Sequence, residues 1–311
     1  MSGEVEPASE LTPELRAFVE FVAKKGRELY RDLPWRRTYD PYAIWISEVM
    51  LQQTQVSRVD GRWQRWLERF PTVDALAAAA PSDVLEEWQG LGYNRRALSV
   101  HRAAQAISEA GGVFPQDQKE LVKLPGIGPA TAAGIRAFAF NLHGVYLETN
   151  VRTVFLHELY PQAEGVPDSE LVPLVELTCP ASVADAVNVV DADSAANDAT
   201  AGLTPRSWYY ALLDYGAYLK KTIPNPSRRS KSHVKQSRFE GSHRQKRAEL
   251  LRVLLAHKDE GGAVFETLHQ ELCQIEVNAG RETLDEQVTL GLLEELAKEG
   301  FCQKNDEYWL P

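Results

Sequence analysis

The chain has 311 residues, is 44% apolar and 25% charged, and carries a formal net charge of -10, which suits a folded protein large enough for two or three domains. No run reaches the length of a membrane span, and the first thirty residues mix acids with a helical pattern in place of a basic start, an apolar stretch and a cleavage site, so a cytoplasmic location is expected. The three cysteines, Cys179, Cys273 and Cys302, are too far apart to form a CxxC pair, which leaves no pattern for a zinc site, an iron–sulfur site or a disulfide framework.

Thr12, Pro13 and Glu14 open the first predicted helix as cap, first-turn proline and first-turn acid, with Leu15, Phe18, Val19 and Val22 on one face. Pro41 and Tyr42 lead into AIWISEVMLQQTQV, Thr72 and Ser82 are candidate caps for VDALAAAA and DVLEEW, and a helix over Ala97 to Ala110 is closed by Gly111 and Gly112. Strand signals are weak, so residues 10–222 read as all-α. The segment Pro180 to Pro205, with four aspartates and no basic residue, reads as a surface insertion. KKTIPNPSRRSKSHVKQSR, Lys220 to Arg238, opens a strongly basic stretch: Lys220 to Arg252 holds 11 Lys plus Arg against Glu240 and Glu249 alone. It fits either a polyanion-binding face or a solvated linker. From Arg244, three amphipathic helices and a terminal hairpin turning at Asn305 and Asp306 suggest a winged-helix-like unit. The domains expected are therefore a core over 1–222, with the insertion at 180–205, a basic linker over 223–243, and a C-terminal unit over 244–311.

Three motifs could carry chemistry. LPGIGPATAAGI, Leu124 to Ile135, puts Gly126 and Gly128 just ahead of a helix, so that a tight turn and the helix N-terminus can offer backbone N–H groups to a phosphate. This is the logic of a helix-hairpin-helix, although a plain helix–helix turn has similar spacing. In PYAIWISEVMLQQTQV, Ile44, Glu48, Leu51 or Gln52, and Gln55 share a helical face. A carboxyl there is either desolvated, and so suited to a general acid near neutral pH, or at the wet edge of the stripe. In VYLETNVRTVFLHEL, Glu148 precedes a helix capped by Thr149 or Asn150. Glu148 either complements that helix's dipole or supplies the second carboxyl that glycosidic cleavage needs, the first being protonated and this one ionised.

Taken together, LPWR, SEVMLQQTQV, FPTVDALAAA, WQGLGYNRRA, LPGIGPATA and the ETNVR segment resemble the helix-hairpin-helix DNA glycosylase superfamily, most closely the MutY-type adenine DNA glycosylases, over about Leu33 to Lys221. The resemblance implies a two-lobed all-α fold and a monomer acting in base excision repair on duplex DNA with a mismatched or damaged base. Glu48 would be the general acid, Glu148 would stand where the family has its catalytic aspartate, and Asn150 follows two residues on. Trp35, Arg36 and Leu51 match pocket positions, while Gln53 and Tyr93 match side chains that wedge into the stack. Leu124, Gly126, Ile127, Gly128 and Thr131 would line the DNA-binding hairpin, and Arg228, Arg229 and Lys231 the basic loop.

The departures are equally informative. Ala130 occupies the position of the Schiff-base lysine of endonuclease III-type members, which implies a monofunctional hydrolase. Tyr210 replaces a glutamine that contacts adenine; with Ala130 and Asn94 it motivates a second reading, removal of thymine, uracil or another damaged base opposite guanine. A non-catalytic DNA-binding module is a third. Lys220 and Ser227 stand near the first two of four cysteines that hold an iron–sulfur cluster in relatives, so neither a cluster nor any other cofactor or metal is expected.

Overall fold

The computed structural model describes residues 11–181, 202–232 and 238–311. It divides into two units, one formed by residues 1–48, 115–123 and 127–234, the other by 49–114, 124–126 and 235–311. Most of the acidic insertion lies outside the described residues.

The first unit is organised around helices α1 (Pro13–Glu28), α10 (Thr149–Glu158) and α12 (Pro205–Thr222), together with α8 (Gln118–Lys123), α9 (Pro129–Phe140), α11 (Asp168–Thr178) and most of α2 (Pro41–Leu51). Thr12 caps α1 by accepting the Leu15 N–H at 3.3 Å. Phe18, Val19, Val22 and Ala23 of α1 are buried, and Phe18 meets Phe155 and Trp208 edge-on, with centroids 5.1 and 6.1 Å apart. Helix α12 starts with a reciprocal capping box between Thr204 and Ser207, with Pro205 in its first turn. Gly26 lets α1 and α12 approach closely, since a Cβ there would overlap Ala211.

Helix α2 is buried on nearly all sides: its own Tyr42, Ala43, Ile44, Trp45, Ile46, Val49 and Met50 are all buried. It is a core helix, and the single apolar stripe expected from its sequence is too narrow a description.

The second unit holds α3 (Val56–Val59), α4 (Arg62–Arg69), α5 (Val73–Ala77), α6 (Pro81–Trp88) and α7 (Arg95–Glu109). Trp66 anchors it, edge-on to Phe70 at 5.0 Å and to Trp88 at 5.4 Å. Thr72 caps α5 as its sequence suggests, whereas α6 begins at Pro81, before the expected cap Ser82, because proline at N1 costs no intrahelical hydrogen bond.

The same unit includes the C-terminal α13 (His243–Ala256), β1 (Ala263–Val264), α14 (Phe265–Asn278), α15 (Glu286–Glu299), β2 (Gln303–Asn305) and β3 (Tyr308–Leu310). The strands form an antiparallel sheet of order β1-β3-β2. This is a winged-helix arrangement, with Asp306 in the left-handed conformation at the wing's turn (φ 53°). Lys258 ties the C-terminal segment to α6 by reaching Asp83 at 2.9 Å and Glu86 at 2.8 Å, and Glu299 joins Arg95 of α7 to Arg247 of α13.

Candidate active site

Glu48 lies near the end of α2, half-buried and surrounded by protein, and its Oε2 accepts a hydrogen bond from the Tyr146 hydroxyl at 2.9 Å. Burial is the main influence on this carboxyl and raises it from 4.5 to about 7; the Tyr146 hydrogen bond pulls it back, the charge of Glu148 pushes it up again, and Arg36 lowers it slightly. Gly134 of α9 makes the arrangement possible, because a Cβ there would overlap Glu48 Oε2 and crowd the Tyr146 ring. Tyr146 is itself fixed. Its ring meets Phe138 and Tyr209 edge-on at 5.2 and 5.3 Å, its N–H donates to the Tyr209 hydroxyl at 3.1 Å, and burial keeps its own hydroxyl neutral.

Glu148 is the N-cap of α10, in place of the expected Thr149 or Asn150. Its Oε1 accepts the N–H groups of Asn150 and of Val151, the latter at 2.9 Å, while Asn150 Nδ2 is 3.5 Å from Oε2. A glutamate can reach back to cap the helix it precedes because its extended backbone (φ -108°, ψ -179°) turns the side chain towards N2 and N3. Burial raises the Glu148 carboxyl; the Val151 N–H, Lys220, the Asn150 N–H and Arg152 oppose that rise. Lys220 of α12 donates to Asn150 Oδ1 at 2.9 Å. One turn earlier on α12, a Cβ at Gly216 would overlap the Asn150 backbone.

Trp35 and Arg36, expected at a base pocket, are both buried. Arg36 donates to both oxygens of buried Asp214 at 2.7 and 2.8 Å and lies 4.3 Å over the Tyr210 ring, whose other neighbour is Phe138, stacked at 4.6 Å. Arg36 and Tyr210 line a cavity of about 700 Å³ together with Tyr30, Tyr39 and Arg206, and Glu48 is not in its wall. Leu51, half-buried at the end of α2, is not part of it either.

In the second unit, the expected wedges Gln53 and Tyr93 are exposed and share an unusual backbone state, with φ of 54° and 51°. Non-glycine residues rarely adopt it. Arg96 holds both loops: one arm of its guanidinium donates to the carbonyls of Val49, Met50 and Gln52 at 2.6, 3.2 and 2.6 Å, the other to Leu91 and Gly92 at 3.2 and 2.8 Å. Trp88 and Tyr93 flank the same guanidinium, at 5.2 and 5.5 Å from its central carbon.

At the hairpin, Leu124 is half-buried, Ile127 and Thr131 are buried, and Gly126 and Gly128 are exposed. Gly126 has φ 75°, and Gly128 leads into α9 with no side-chain cap. That leaves the helix start suited to an anion. In the basic loop, Arg228 and Lys231 are exposed, but Arg229 is not placed as the sequence suggested. Its guanidinium is turned inward and donates to the carbonyls of Leu156 at 2.7 Å, Ala163 at 3.3 Å and Tyr160, closing the C-terminal end of α10.

Sequence reasoning did not single out Tyr146, Gly134, Gly216 or Arg96 as site residues. The run of small residues in ATAAG hints at close packing on α9, but nothing local distinguishes Arg96 from its neighbour Arg95.

The HhH-GPD superfamily of base excision DNA repair proteins matches residues 46–196. Over 235 residues the chain is 35% identical to the adenine DNA glycosylase of Mycolicibacterium smegmatis, covering 72% of this chain and 75% of that protein. Its identity to the adenine DNA glycosylase of Mycobacterium tuberculosis is 36% over 235 residues, 73% of this chain and 75% of that one. The solved structure of a thermostable thymine-DNA glycosylase shares the fold, with a TM-score of 0.54 at 21% identity, over 68% of this chain and 90% of that chain. The chain belongs to the HhH-GPD superfamily of base excision DNA repair proteins. Within it, the protein is a DNA glycosylase of the kind its mycobacterial relatives represent.

Proposed function

We propose that the protein is a monofunctional adenine DNA glycosylase that cleaves the N-glycosidic bond of adenine mispaired with guanine or oxidised guanine. The observation that carries this reading is the asymmetric pair of carboxyls: Glu48, desolvated and raised to about 7, and Glu148, capped by two backbone N–H groups and faced by Lys220. Protonated Glu48 gives its proton to the departing base, which takes the bonding electron pair and leaves neutral. Ionised Glu148 stabilises the oxocarbenium-like sugar until water adds to its anomeric carbon and gives up a proton to the carboxylate, yielding free base and an abasic site. The exposed Gln53 and Tyr93 are suited to filling the space an extruded base vacates, and the uncapped start of α9 is suited to the backbone. The protein acts as a monomer on this reading.

An iron–sulfur cluster does not fit the residues present. No cysteine lies between Cys179 and Cys273. Lys220 is bound to Asn150, and the hydroxyl of buried Ser227 donates to Asn225 Oδ1 at 2.8 Å. Purified protein is therefore expected to be colourless; iron in stoichiometric amount, with cluster absorbance, would sink that expectation.

Single-turnover assays on duplexes holding A, T or U opposite guanine and oxidised guanine, read with and without alkali, test the activity. Adenine release is expected, with strand breaks only after alkali, and Glu48→Gln should slow it by about 10²–10⁴-fold, the range for loss of a general acid. Unchanged release by that variant would refute the role of Glu48. Tyr210, held between Arg36 and Phe138 where relatives have a glutamine, favours a second reading in which T or U opposite guanine is removed; release from those duplexes in place of adenine would establish it.

A further inference from the structure

We infer that Lys220 is a positioning residue for catalysis: it holds the start of α10 through Asn150 and supplies the positive charge that faces the Glu148 carboxylate. The inference rests on the role of Glu148 proposed above and goes further by naming what keeps that group in its working state.

Geometry carries the argument. Lys220 lies in the last turn of α12, where a cation complements the helix dipole, and its Nζ crosses to Asn150 Oδ1 at 2.9 Å. Gly216, one turn earlier, brings the α12 backbone against Asn150, so the two contacts together fix the residue whose N–H caps onto Glu148. A lysine beside the positive end of α10 is unfavourable unless an anion is there, and Glu148 is that anion.

The other charged groups around Glu148 do not replace it. Glu48 on α2 is a like charge when ionised, Tyr146 is a neutral hydroxyl, and Arg152 on α10 is already paired with Asp168 at 2.8 Å. Burial raises the Glu148 carboxyl, and Lys220 is the largest side-chain influence in the opposite direction. Removing Lys220 therefore leaves Glu148 harder to ionise at neutral pH, and base release must wait for higher pH.

The test compares Lys220→Met, Lys220→Gln and Lys220→Arg with the wild type in single-turnover base release from pH 5 to 9, alongside DNA dissociation constants and thermal melts. Lys220→Met is expected to move the acid limb of the pH profile up by roughly one unit, which slows release about tenfold at pH values on that limb and progressively less towards the plateau. Binding should change less than threefold. Lys220→Gln keeps a hydrogen-bond donor without charge and should show the same displaced limb, while Lys220→Arg should restore it. An acid limb unmoved in both Lys220→Met and Lys220→Gln overturns the proposal, as does a loss of binding equal to the loss of rate, which would make Lys220 a phosphate contact. Glu148→Gln, measured in parallel, separates the two levels: full activity in that variant removes the role of Glu148 itself, whereas an inactive Glu148→Gln beside an unshifted Lys220→Met removes only this inference.

Discussion

The pairing of Glu48 with Tyr146 makes the acid's proton sensitive to a single hydroxyl. Because that hydrogen bond favours the ionised carboxyl, Tyr146→Phe should remove the larger of the two influences that oppose burial, Arg36 being the other, and move the alkaline limb of the pH–rate profile above about 7. A limb that moves down would contradict the assignment. Burial of Glu48 also costs stability. In the unfolded chain the group ionises near 4.5 and in the folded one at about 7, so as pH rises through this window the unfolded state gains by releasing its proton first. Stability carried by the protonated carboxyl is full below the lower value and lost above the upper one. Glu48→Gln should consequently stabilise the protein by roughly 2 kcal/mol at pH 8, discounted for partial solvent access, with the gain vanishing towards pH 4 in denaturant titrations. Glu48 as a candidate was legible in the sequence, since a carboxyl within AIWISEVML has few ways to avoid apolar neighbours. Its partner was not, because Tyr146 is 98 residues away and only folding brings the two together.

Among the elements, the two loops that carry Gln53 and Tyr93 are both held by one guanidinium. Gln53 and Tyr93 each sit in a strained left-handed conformation, and the cost of order 1–3 kcal/mol per residue is met by the five carbonyls that Arg96 gathers from both sides. Desolvation lowers the Arg96 guanidinium to about 10, still well above neutral pH, so it remains charged at this post. Arg96→Met should reduce stability by about 3 kcal/mol and erode discrimination between mismatched and matched duplexes in binding assays. Full discrimination in a destabilised variant would show that the hold of Arg96 on the Gln53 and Tyr93 loops does not bear on mismatch recognition. Helix positions followed from periodicity and caps: α7 ends at Glu109 ahead of Gly111 and Gly112, and α15 ends at Glu299, ahead of Gly300 in the left-handed conformation. The two-residue β1 escaped notice because a strand that short has no alternation to read.

Across the molecule, the basic loop turns out to mix two kinds of cation. Arg228 and Lys231 are exposed, whereas Arg229 binds carbonyls at the end of α10, Val166 pairs with Ser230, and Pro226 and Ser227 are buried. Replacing Arg228 and Lys231 together by alanine should lower the salt dependence of DNA binding, the slope of log K against log salt, by about 2. Arg229→Ala should instead cost about 2 kcal/mol of stability and leave that slope nearly intact. The reverse pattern would assign Arg229 to phosphate. Hydrogen bonds and packing thus hold the described part of this loop. The C-terminal helices cluster with residues 49–114 through Lys258 and Glu299, contacts that no local pattern announces because their partners lie 175 and 204 residues away. Among the described residues no helix is long and apolar enough to cross a membrane, and no three metal-ligating side chains converge.

From sequence alone follow the helical class, the hairpin with its two glycines, the two carboxyls and the charge segregation, because each depends on propensity, periodicity or composition within a short window. Tertiary structure decided which groups surround those carboxyls. The Tyr146 hydroxyl bound to Glu48, the room at Gly134, Glu148 as the cap of its own helix and Lys220 bound to Asn150 in that helix's first turn are all products of helices packed from distant segments. Desolvation and hydrogen bonding, which set the protonation of a carboxyl, exist only once those segments meet.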